Sequence, residues 1–412
     1  MPFGSLPRQF SLIIPLVALV VGCGDDEADQ PEGVLVVPGE EYETLQEAVD
    51  EAEPGDLVLV LPGVYEESVT VETEHLVIRG ADRNEVILDG GFELANGIIV
   101  EADGVAIENM TARRFTANGF IWSGVEGYRA SYLTAHNNGV YGINVFDSRS
   151  GLIEHSYASG SADAGIYIGE CRPCDAVVRN VTGEYNGFGY AGLNASENIT
   201  LIESTFRFNR VGIFVGTFEE REDLGQQGDA AIVGNLVYSN NNSETSAVNQ
   251  ARLGEGNGIM IYGGRDNVIE RNRVFDHELG GISLVQTFGD EAWFARGNRV
   301  AGNVVADSGT ADLIVVGGGG DNCTVGNELS SSIAVAVETL SPCADSDSSG
   351  ARAGALGVGD VVLRDIAPTG NYQDQPEPGP QPQMPDALSG RWQAAGNPPT
   401  VDLADVVLPP EQ

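Results

Sequence analysis

The chain has 412 residues, with 61 Asp and Glu against 21 basic residues, all of them Arg, and a formal net charge of −40. That balance excludes nucleic acid and anionic lipid surfaces as partners, because both require a positive footprint, and it disfavours polyuronates unless divalent cations bridge the two anions. With 54 Gly, 12 Tyr and few long helix-forming stretches, the composition favours short strands and frequent turns over helix bundles.

Residues 1–22 carry a single charge, Arg8, ahead of the apolar run SLIIPLVALVV. The run is too short and wrongly flanked for a membrane span, so it is expected to be a secretion signal. VVGC, ending at Cys23, resembles the lipobox of bacterial lipoproteins, with Val20 in place of the commoner Leu. The resemblance implies lipidation of Cys23 and an exported protein anchored in the cell envelope. Gly24 replaces the Asp that signals inner-membrane retention, which favours the outer membrane or cell surface. Residues 23–33 then form an acidic tether that cannot bury a core.

Thr44 to Asp56 (TLQEAVDEAEPGD) places Leu45, Ala48, Val49 and Ala52 at helical spacing and stops at Pro54-Gly55, which predicts a short capping helix. Strands around PGVY follow. From there to about residue 343 two columns alternate every 22 to 25 residues where no insertion intervenes. One is a Gly heading an apolar strand, at Gly97, Gly119, Gly142, Gly165, Gly192, Gly212, Gly258 and Gly281. The other is an Asn or Ser after a second strand, at Asn109, Ser131, Ser156, Asn180, Ser204, Asn235, Asn272, Asn303 and Asn327. One copy is therefore one coil, and 34–343 is expected to be an all-β right-handed parallel β-helix, a solenoid stacking at about 4.8 Å per coil. The residue after each Gly (Ile98, Phe120, Ile143, Ile166, Leu193, Ile213, Ile259, Ile282) should point inward, and the Asn and Ser column should form a corner ladder.

Three insertions, at about 216–230, 241–256 and 286–296, interrupt the rhythm; the first and third follow the same strand column and should leave the same corner. Residues 344–412 lose the repeat and turn Pro-rich, as expected for a cap or a loosely packed tail. Apart from Cys23, four cysteines remain in an oxidising compartment. Chain proximity favours Cys171 with Cys174 and Cys323 with Cys343, one of three connectivities.

The helix, PGD and PGVY together resemble the N-terminal cap of the pectin-lyase-like superfamily. The repeat region is similar to bacterial parallel β-helix repeat proteins of the sugar-binding and sugar-hydrolase type, with SGSADAGIYIGE (Ser159 to Glu170) the most family-like coil. The resemblance implies a carbohydrate ligand. The signatures of its enzymes are missing: the NTD, GHG and RIK motifs of polygalacturonases, the DFIFG-like strand of pectin methylesterases, the Asp-Pro-His of alginate epimerases and the Lys of many lyases.

What remains is a polar cluster in the middle coils. Asn144, Tyr167 and Asn194 are expected outward on adjacent coils, with Arg149 and His155 near Tyr167 as candidate catalytic partners, Arg neutralising a substrate charge. Asp147, Asp163 and Glu170, with Asp175, are the candidate ligands for calcium, the one cofactor with suitable hard oxygen donors. Phe214, Met260, Tyr262 and Trp293 extend the cluster as candidate sugar contacts, beside Phe218, Phe288 and Phe294. His136 and His155 lack metal-ligand spacing and read as turn-bonded or solvated. Cys171-Arg-Pro-Cys174 follows a strand and reads as a structural disulfide. The sequence favours an envelope lipoprotein that binds polysaccharide or another envelope component. A lyase, epimerase or hydrolase centred on Tyr167 and a structural or adhesive rod are the alternatives.

Overall fold

Val34–Val37, ahead of the helix, opens a stack of short strands, every one paired in parallel with its counterpart one coil away. The computed structural model describes residues 33–218, 224–288, 292–317, 319–334, 341–343, 352–353, 357–363 and 369–411; the leader, Cys23 and nearly all of the tether lie outside them. Through the repeat each full coil contributes one strand to each of three sheets, which hold 13, 11 and 12 strands among the described residues, in the order the chain meets them. The molecule is thus a parallel β-helix. The N-terminal helix α1 (Leu45–Glu51) forms as expected, with Thr44 and Glu47 closing a capping box. Its Leu45, Ala48 and Val49 join the buried cluster of the first coils, with Val37, Val58 and Val69.

The interior column reads Ile98, Phe120, Ile143, Ile166, Tyr190, Ile213, Ile259 and Ile282. Tyr190, not Leu193, is in register, so Gly189 and not Gly192 heads that strand. Both glycines sit in one six-residue strand, and only the pairing tells them apart. At Gly189 a Cβ would lie 2.6 Å from the Gly212 carbonyl oxygen, which explains the glycine column.

The corner between the first and second sheets uses two successive residues. Asn109, Tyr132, His155, Asn180, Glu203, Gly234 and Arg271 have positive φ and turn the chain. The residue after each is buried, and from Ser204 onward it carries the ladder: Ser204 N donates to Asn235 Oδ1, Asn235 to Asn272, Asn272 to Asn303 and Asn303 to Asn327, at 2.9–3.1 Å. Asn109 and Asn180 therefore belong to the turning column rather than the ladder, and Ser131 ends its strand beside Glu154. Two further ladders were not legible: Asn186, Asn209 and Asn240 at the second corner, and Asn267, Asn298 and Asn322 at the third. All six side chains are buried.

Both disulfides form as chain proximity suggests, Cys171 with Cys174 and Cys323 with Cys343. The first and third insertions meet, Gln226 Nε2 donating to the Phe294 carbonyl at 2.7 Å. The described part of the Pro-rich tail is not loose. Residues 369–411 form a strap that crosses the second sheet, turns over the first and runs along the rod, because Arg side chains of the coils donate to its carbonyls. Arg79 reaches Ala387 and Gly390, Arg129 reaches Ala394, and Arg271 and Arg273 reach Val406 and Pro409.

Candidate functional site

The outward face of the 12-strand sheet divides into two parts. Downstream it is closed. Phe188, Phe214, Met260, Tyr262 and Ile314 form a second apolar cluster with Ala247 and Ala251 of the middle insertion and with Val361 and Val362 of α2 (Val358–Val362). Phe214 and Met260 are fully buried there. They, with Tyr262, pack loops onto the rod instead of facing a ligand, a correction that follows from how much apolar surface the insertions bring. Trp293 is half-buried and its backbone exchanges hydrogen bonds with Thr287, which shapes the third insertion.

Upstream the face is polar. The residue just before each glycine contributes Asn96, Asn118 and Tyr141, and the next outward column contributes Ile99, Ile121, Asn144 and Tyr167. Asn144 Nδ2 donates to Asn118 Oδ1 at 3.2 Å, and Asn118 Nδ2 donates to Asn96 Oδ1 at 2.7 Å. The Tyr141 hydroxyl donates to Asp163 Oδ2 at 3.3 Å, and its ring lies 4.5 Å from that of Tyr167. Burial, then the charge of Asp163, pushes the Tyr141 phenol far above its ordinary range, so it stays protonated and a hydrogen-bond donor at any physiological pH. Tyr167 lies along its own strand over Gly169, where a Cβ would come within 2.0 Å of the Tyr167 hydroxyl. Ile99 and Ile121 are half-buried and Phe146 is 39% exposed, so a strip beside the polar row remains open to solvent.

Other expected members are elsewhere. Asn194 is not level with Asn144 and Tyr167, because the glycine register shifts and Ala191 takes that outward place. Asn194 sits instead at the corner after the strand, bonding Glu170 Oε1 at 3.2 Å and accepting from Phe218 N at 2.7 Å. Arg149 opens a strand of the first sheet, with its side chain 54% exposed and paired to Glu126 at 2.8 Å. His155 follows the other end of that strand, stacked 4.6 Å from Tyr132. The chain direction separates these two by about 20 Å at some 3.3 Å per residue, so they cannot both serve Tyr167. Asp163 and Glu170 flank the strand Ala164–Gly169 at opposite ends, and Asp147 is exposed one coil upstream. Among the described residues no three His, Cys, Asp or Glu side chains are grouped to hold a metal ion, so the calcium set does not converge. The site residues that sequence reasoning missed are Asn96, Asn118 and Tyr141. Their signal was present, as the residue immediately before each column glycine.

Three parallel sheets with ladders at the corners define the class, a parallel β-helix. The match to the right handed beta helix region family covers residues 118–341, more than half of the chain, and the protein belongs to that family. Among solved structures it is similar to the A-module of the mannuronan C-5 epimerase AlgE6 of Azotobacter vinelandii, at 17% identity and a TM-score of 0.52, over 69% of this chain and 89% of that one. The AlgE4 A-module of the same organism matches at 16% identity and a TM-score of 0.52, over 72% and 91%. A rhamnogalacturonan lyase matches at 13% and 0.52, over 69% and 85%. At such identities the likeness is one of fold. No curated protein matches the sequence.

Proposed function

We propose that the protein is an exported lipoprotein, anchored through Cys23 in the cell envelope, whose β-helix binds a polysaccharide along the upstream outer face of the 12-strand sheet. The observation that carries this reading is the open strip of Ile99, Ile121 and Phe146 beside the half-buried Asn96, whose amide is held by the buried Asn118 and Asn144 behind it. An amide that donates and accepts, beside apolar and aromatic surface, matches hydroxyl groups and the apolar faces of sugar rings. The fold supports the reading as well, since similar modules are named for a mannuronan epimerase and a rhamnogalacturonan lyase. A net charge of −40 favours neutral polysaccharides. Affinity electrophoresis against neutral and anionic polysaccharides tests this: retardation by at least one neutral polymer is expected, reduced about tenfold in affinity by Phe146→Ala with Ile121→Glu. Retardation unchanged by that pair would remove the assigned face. Detergent-phase partitioning that is lost in Cys23→Ser tests the anchor.

A second reading, a lyase, epimerase or hydrolase centred on Tyr167, draws on the grouping of Tyr167 with Asp163 and Tyr141, in which Tyr141 keeps its proton and gives Asp163 a hydrogen bond. It requires turnover of some polysaccharide that Tyr167→Phe abolishes while binding persists.

A further inference from the structure

The strap bridges over the second sheet. Asn137 Nδ2 holds the Gln375 carbonyl at 2.9 Å and Asn84 Oδ1 accepts from Gln381 N at 2.7 Å; between these ties Glu377–Pro380 roofs a cavity of about 190 Å³ on the sheet's outer surface. Its walls include Ile87, Pro378 and Pro380, which are apolar, and Arg113, His136 and Glu377, which are not.

The hydrogen-bonding state of each polar wall follows from its neighbours. Asn137 Nδ2 donates to the carbonyls of Tyr372 and Gln375, so Asn137 Oδ1 faces His136 Nδ1 at 2.8 Å and that nitrogen must carry the hydrogen. Burial foremost, with the charge of Arg113 adding to it, holds the imidazole below its ordinary value, so the ring is neutral at pH 7. His136 Nε2 is therefore a lone-pair acceptor. Arg113 Nε is engaged with Asp89 at 2.9 Å, while its terminal nitrogens have no partner among the described residues. Glu377 is exposed on the strap and makes no hydrogen bond or ion pair among them.

A strong donor, a neutral acceptor and an anionic acceptor between apolar walls are the set a vicinal diol uses, one hydroxyl giving its hydrogen to an acceptor while accepting from the guanidinium. An anionic ligand would meet Glu377. Drug-sized ligands fill pockets of about 300–1,000 Å³, so this smaller one suits a single ring. We propose that the strap-roofed cavity binds one neutral pyranose ring, either free or as the terminal residue of a neutral glycan. The site lies on a different sheet from the face assigned above and does not depend on that assignment.

The test titrates the full-length protein with methyl β-D-glucopyranoside, methyl α-D-mannopyranoside, methyl β-D-xylopyranoside, sodium glucuronate and the tetrasaccharides of the neutral sugars, read by saturation-transfer NMR and calorimetry. At least one neutral pyranoside is expected to bind, with glucuronate weaker. Glu377→Ala should lose about tenfold in affinity, as should Arg113→Gln, since each removes a charge-assisted hydrogen bond. Asp374→Asn, an exposed carboxylate on the same strap outside the cavity, should bind as the parent does. Tetrasaccharide binding as tight as that of the monoside would identify a chain end as the source of the ring, and its exclusion a free sugar. Glu377 is exposed, so its variant tests the site without threatening the fold. No binding of any neutral pyranoside, equal binding by Glu377→Ala, or a preference for glucuronate would overturn the proposal.

Discussion

Single buried amides hold neighbouring coils in register. Asn272 Oδ1 accepts from both the backbone and side-chain nitrogens of Asn235, at 2.9 and 3.0 Å, while its own Nδ2 donates to Ile232 and Asn303. Asn272→Ala takes this partner from the Asn235 backbone N–H and from the Ile232 carbonyl in a dry interior, while Asn303 Oδ1 keeps the Asn272 N–H, and each group so left costs about 1–3 kcal/mol. Asn180 has the same side chain but is exposed at the turning position, so Asn180→Ala should stay within about 1–2 kcal/mol, the cost of a Cβ residue less suited to positive φ. Urea denaturation followed by circular dichroism should therefore separate the two by several kcal/mol. Equal losses would contradict the assignment of Asn180 to the turning column.

At the level of elements, a stack of parallel strands ends in unpaired edges and an open apolar interior, and α1 is what the chain places at the first of these. Thr44 and Glu47 fix the helix start, and Glu67 adds a carboxylate that accepts from the backbone of Leu45 and Gln46 at 3.0 and 3.1 Å. Losing the cap box in Thr44→Ala should cost about 1 kcal/mol. Leu45→Asp with Val49→Asp removes the buried face itself, and size-exclusion chromatography should then show oligomers. A monodisperse double variant of unchanged melting temperature would show that α1 is dispensable as a cover. The expected helix and the observed one agree because the pattern is local: a capping box, apolar spacing and a Pro-Gly stop within 13 residues.

For the whole molecule the strap is the decisive addition. Its prolines lack backbone N–H groups, so residues 369–411 cannot join a sheet, yet their carbonyls still need donors. Arg79, Arg83, Arg129, Arg271 and Arg273 provide them, while Ala395 and Val406 cover apolar patches at Leu57, Val77 and Ala106 and at Ile202 and Val233. A chain ending at residue 368 should keep its β-sheet circular dichroism but melt lower, since a buried Val alone is worth about 1.5–3 kcal/mol. It should also self-associate through the uncovered patches. Calorimetry and light scattering measure both, and an unchanged melting point would mark the strap as a passenger.

The coil period, the capping helix, the glycine column and the disulfide pairs were all legible in the sequence, because each repeats a local rule often enough to be counted. The site was legible only in part. Tyr167 and Asn144 were read on the correct face, but Arg149 and His155 lie at opposite ends of a strand of the first sheet, and Phe214 and Met260 are roofed over by residues from distant insertions. Which glycine heads the strand Phe188–Leu193 depends on pairing with the coils above and below. Where the strap lies depends on guanidinium groups roughly 300 residues earlier in the chain. One chain by itself determined a polar, acidic β-helix; register and covering, which are set by contacts between coils and between remote segments, were decided only by the tertiary structure.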